Sequence, residues 1–190
     1  MLNLLKLNAN MKRNPIILFI LCLSISLIGC KKGGPTVAFN VSDSENFTIP
    51  ANPTAISILS PVFTPPFNTT SWENQYSINN TDKNHIKSCN LTDLTLTITS
   101  PSGQTFGFVK SIHIFIQATN LPQVEVAYID NNPTTAGTTI TLIPDNNVDL
   151  SAYAKADSFT LGVETTTQQS TVNDVNVQAN MTLHIVANVL

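Results

Sequence analysis

One run of residues limits the fold more than anything else in the chain. Val175, Val177, Ala179, Met181, Leu183, Ile185, Ala187 and Val189 alternate with Asn176, Gln178, Asn180, Thr182, His184 and Asn188, with Val186 the one exception. An apolar residue at every second position is the period of a β-strand with one face on a core and one in water. A helix would repeat its apolar face about every 3.6 residues, so this run excludes one. Its length predicts a long strand, bent or bulged midway. The pattern recurs in Leu94, Leu96 and Ile98 against Thr95, Thr97 and Thr99, in Phe159, Leu161 and Val163, and in Ile112, Ile114 and Ile116.

Further strands are expected at Val37 to Val41, Phe47 to Ile49, Ile56 to Leu59, Val124 to Ile129 and Ile140 to Ile143. Turn residues separate them at Pro101-Ser102-Gly103, Asp130-Asn131-Asn132-Pro133 and Pro144-Asp145-Asn146-Asn147. Pro61, Pro65 and Pro66 mark a long connection or sheet-edge crossing, because proline cannot donate to a central ladder. Short helical stretches are expected only around Asp82 to Ile86 and Leu150 to Ala154. The expectation is an all-β fold: an antiparallel β-sandwich, immunoglobulin-like or jelly-roll, of about nine to ten strands.

A different pattern occupies the first thirty residues. Pro15 to Ile28 reads PIILFILCLSISLI, 14 apolar or small residues preceded by Lys12 and Arg13. A bilayer-spanning helix needs about 20 apolar residues, so this length suits the core of a signal peptide. Leu27-Ile28-Gly29-Cys30 follows and resembles the lipobox of bacterial lipoproteins. The resemblance implies cleavage before Cys30, a lipid on its sulfur and a membrane partner. The division that follows is a signal peptide over residues 1–29 with its start at Met11, a lipidated tether over 30–36 and a single β-sandwich domain over 37–190. From Trp72 to Asn180, segments such as LTLTITSPSGQTF, FVKSIHIFI and KADSFTLGVETTT are similar to an uncharacterised β-rich family of bacterial lipoproteins and secreted proteins. That resemblance implies a shared domain and carries no activity. Lys31 and Lys32 stand where an aspartate would retain a lipoprotein in the inner membrane, so the expected place is the cell envelope at the outer membrane, on either side of it.

From Cys30 onward the chain holds six lysines, no arginine and 12 acids, for a net charge of -6. Without arginine there is no bidentate fork for phosphate, and the acidic balance argues against a nucleic-acid partner. Thr, Asn and Ser fill about a third of these positions, a composition of strands and polar turns. With Cys22 in the signal and Cys30 on lipid, Cys89 stands alone and reads as a small buried hydrophobe.

The chemistry-bearing residues are sparse. His85, His113 and His184 have no ligand spacing and read as solvated or hydrogen-bonded. There is no Gly-x-Ser-x-Gly elbow and no phosphate loop, so no catalytic residue is expected. Asp145, Asn147 and Asp149 occupy the first, third and fifth positions of a calcium-loop pattern, but Leu150 stands where glycine is required and Ala156 where glutamate is. Calcium is the one cofactor this spacing admits; a turn with Asp149 capping the next helix is the simpler expectation. Trp72 and Tyr76 are either core anchors or, if exposed, a platform for a sugar ring. The expected function is a membrane-anchored, non-catalytic structural or protein-interaction module, with glycan binding, calcium-assisted or not, as the alternative.

Overall fold

The computed structural model describes residues 33–51, 60–61, 69–156 and 159–190. The signal, Cys30 and the strand expected at Ile56 to Leu59 lie outside the described residues. Gly34 to Leu190 forms one compact unit.

The fold is all-β, built from two antiparallel sheets. In chain order the elements are β1 (Thr36–Ile49), β2 (Ser60–Pro61), α1 (Thr69–Ile78), β3 (Ile86–Ser100), β4 (Val109–Ala118), β5 (Val124–Ile129), β6 (Thr139–Thr141), β7 (Ile143–Pro144), α2 (Ser151–Lys155), β8 (Phe159–Thr167) and β9 (Val175–Asn188). A single turn of 3-10 helix, Lys83–His85, precedes β3. One sheet runs β1-β9-β3-β6 and the other β2-β8-β4-β5-β7. Because β2 and β7 are two-residue pairs, the number of substantial strands among the described residues falls below the nine to ten expected.

The alternating run becomes β9, the inner strand between β1 and β3. Its residues from Val175 to Ala187 at odd positions are all buried, as the period requires. The expected bend is absent on the β1 side, where 14 consecutive residues pair from Thr36 with Asn188 to Ile49 with Val175. The irregularities lie on the other side, in three register shifts along β3. At about 3.3 Å per residue β9 spans about 45 Å, which gives the domain two well-separated ends. The near end holds the starts of β1 and β3 and the end of β9; the far end holds Ile49, Ser100 and Val175.

Both sheets contribute to one core. Leu94, Leu96, Val177 and Ile185 from the first meet Ile112, Ile114, Leu161 and Val163 from the second in a continuous buried cluster. Three sequence expectations change. Val37 to Val41 and Phe47 to Ile49 are one strand, because Asp43 and Glu45 lie on the same inward register as Val41 and Phe47 without ending it. Ile140 to Ile143 is two strands in different sheets, β6 and β7, with buried Leu142 at the crossing. Helix α1 was not expected at all.

β1 is an edge strand, and the two inward acids protect it. A carboxylate aimed under a sheet edge discourages a second chain from docking there. Asp43 accepts the Ser44 N–H at 2.8 Å and, through its other oxygen, the indole N–H of Trp72 at 3.1 Å. Burial, with the charge of Asp43 beside it, holds the Glu45 carboxyl above its ordinary value, against a hydrogen bond from the Asn46 N–H.

Candidate functional site

The near end is assembled from α1, the turn after it, the Lys83–His85 turn, α2 and the end of β9. Helix α1 stops in a Schellman arrangement. Asn80 takes the left-handed conformation with φ 52°, its N–H bonds the Ser77 carbonyl at 3.1 Å, and the Thr81 N–H bonds the Tyr76 carbonyl at 3.0 Å. Buried Thr81 then fixes the turn to the sheet through its hydroxyl on the Asn188 carbonyl at 2.7 Å. Leu190 donates to Asn80 at 2.8 Å, and Val189 to the Pro35 carbonyl at 2.9 Å. Residues distant in sequence thus meet within one patch.

Between them runs a groove of about 880 Å³, walled by Trp72, Tyr76, Ala154, Ala156, Val189 and Leu190. Polar side chains of Glu73, Ser77, Asn80, Asp82, Lys83 and Asn84 line the remainder. A smaller apolar cavity of about 30 Å³ lies between the sheets and shares Trp72 and Ala154 with the groove.

Trp72 and Tyr76, four residues apart on α1, are the apolar side chains that dock it. Each keeps only 6% of its surface in solvent. Trp72 lies tilted on Phe159 at 6.1 Å, and Tyr76 meets Phe39 edge-on at 6.1 Å. They are core anchors, and the sugar-platform reading is corrected: a stacking platform needs an open ring face. Among the described residues the buried Tyr76 hydroxyl has no hydrogen-bond partner, and burial, then the neighbouring Cys89 thiol, push its pKa far up.

Asp145, Asn147 and Asp149 serve as turn and cap. Asp145 Oδ1 accepts the backbone N–H of Asn147 at 3.0 Å and its side-chain amide at 3.1 Å. Asp149 Oδ1 accepts the N–H of Ser151, the first residue of α2, at 2.9 Å and that of Cys89 at 3.0 Å, while Oδ2 takes the Ser151 hydroxyl at 3.0 Å. Burial alone would raise this carboxyl; the bonds from Cys89 and Ser151, with Lys155 nearby, hold it below the ordinary range. Among the described residues no group of three His, Cys, Asp or Glu side chains is placed to hold a metal ion.

Cys89 is fully buried, and burial followed by the charge of Asp149 pushes its thiol up to about 12. A thiol kept protonated is a poor nucleophile. His85 bonds Asp82 at 2.9 Å and His184 bonds Asn40 at 2.9 Å. The arrangement around His113 was missed from sequence. Its Nδ1 lies 2.9 Å from Glu125 Oε2, its Nε2 lies 3.3 Å from Asp130 Oδ1, and its ring stacks on Tyr128 at 6.2 Å. The signal was present in the alternation, since β4 and β5 as neighbours set His113 opposite Tyr128. Among the described residues each histidine bonds a carboxylate or an amide, and none a hydroxyl or thiol.

No family model matches the chain, and no curated protein matches it. Among solved structures the chain is similar to one in the cryo-EM structure of Mud crab tombus-like virus, at 8% identity over 92% of this chain and 98% of that one. The TM-score of that superposition is 0.26, too low to equate the two folds.

Proposed function

We propose that the chain is a bacterial lipoprotein. Its signal ends at Gly29, Cys30 carries the lipid, and residues 37–190 form a β-sandwich of immunoglobulin-like or jelly-roll type. The domain is held at the cell envelope, at the outer membrane, and serves there as a non-catalytic structural or protein-interaction module. The observation that carries this reading is the Leu27-Ile28-Gly29-Cys30 motif directly after the short apolar run. Two features of the domain support it. The Cys89 thiol is buried and held protonated, and Nδ1 of each histidine bonds a carboxylate or an amide, so these side chains have structural partners. Glycan binding is not carried forward, because Trp72 and Tyr76 offer no ring face.

Expression in a bacterial host with radioactive palmitate tests the anchor. Label is expected on the chain and lost in Cys30→Ala; equal label in both ends the reading.

A further inference from the structure

We draw no further inference here: the strongest candidate, the groove at the near end beside the exposed Ile78 and Leu190, is ringed by Glu73, Asp82 and Asp149 in balance with Lys83, Lys87 and Lys155, and nothing in the structure shows what covers it.

Discussion

The two ends of the domain solve the same problem by opposite means. Where strands stop, backbone groups lose their ladder partners and need new ones. At the far end two amide side chains supply them, one from buried Asn132 and one from exposed Gln168. The Asn132 amide donates to the Phe106 carbonyl at 2.8 Å and the Val109 carbonyl at 3.0 Å, and Gln168 donates to Gly107, Val109 and Asn132 carbonyls at 3.0, 3.2 and 3.2 Å. Gly107 lies so close to Thr134 that an added Cβ would sit 2.2 Å from its carbonyl oxygen. Among the described residues both ends hold buried polar atoms without a partner, the Tyr76 hydroxyl at the near end and Asn132 Oδ1 and Thr171 Oγ1 at the far end; what sets the near end apart is a groove that stays open. The far end is therefore packed for rigidity, and the near end keeps surface available. Stability should be concentrated accordingly.

The largest effect is expected from Gly107→Ala. The obstacle is backbone, which cannot swing aside, so a loss of about 3 kcal/mol is expected in urea unfolding. A loss below about 1 kcal/mol would show that the far end yields, and the contrast would fail. Asn132→Ala comes next, at about 2 kcal/mol, because the Phe106 carbonyl is orphaned while Gln168 still serves Val109. An exchange measurement of the neighbouring amides should show opening confined to this end.

Near-end substitutions should be smaller. Cys89→Ala is expected to cost about 1 kcal/mol at neutral pH. Its signature is in alkali: the ordinary thiol ionises near 9.0, whereas the folded thiol holds its proton to about 12. Between those values the folded state binds more protons, so stability falls as pH rises, and Cys89→Ala should flatten part of that fall. Identical alkaline slopes in the two proteins would mean that the thiol is better solvated than its burial implies. Tyr76→Phe is the smallest, a gain of about 0.5 kcal/mol in thermal unfolding, since it deletes a buried hydroxyl that has no partner among the described residues. A clear loss instead would reveal a partner for that hydroxyl and a near end more finished than described.

The sequence shows the sheets more readily than the ends because alternation is a local signal. β5 begins and ends where expected, and the odd residues of β9 from Val175 to Ala187 are buried to the last one. Helix α1 escapes because Trp72 and Tyr76 are its buried anchors among the residues whose burial is described, set in a largely polar sequence, too narrow a stripe to register as a helical period. The split between β6 and β7 escapes because Ile140 to Ile143 reads as one short strand, while buried Leu142 lies where the chain passes from one sheet to the other. The groove is invisible for another reason. Its walls come from α1, the turn before β3, α2 and the end of β9, and nothing local in any of them reports the others. Asp149 was legible as a cap, although its second bond, to Cys89 some 60 residues earlier, was not.

The continuous ladder between β1 and β9 has a bearing on timing. Thr36 pairs with Asn188, so the first long strand finds its partner only when nearly the whole domain is present. Contacts that far apart in sequence close slowly, since a long loop must be ordered before any bond rewards it. Through that interval β1 has no strand beside it, and Asp43 and Glu45 guard both of its edges rather than one.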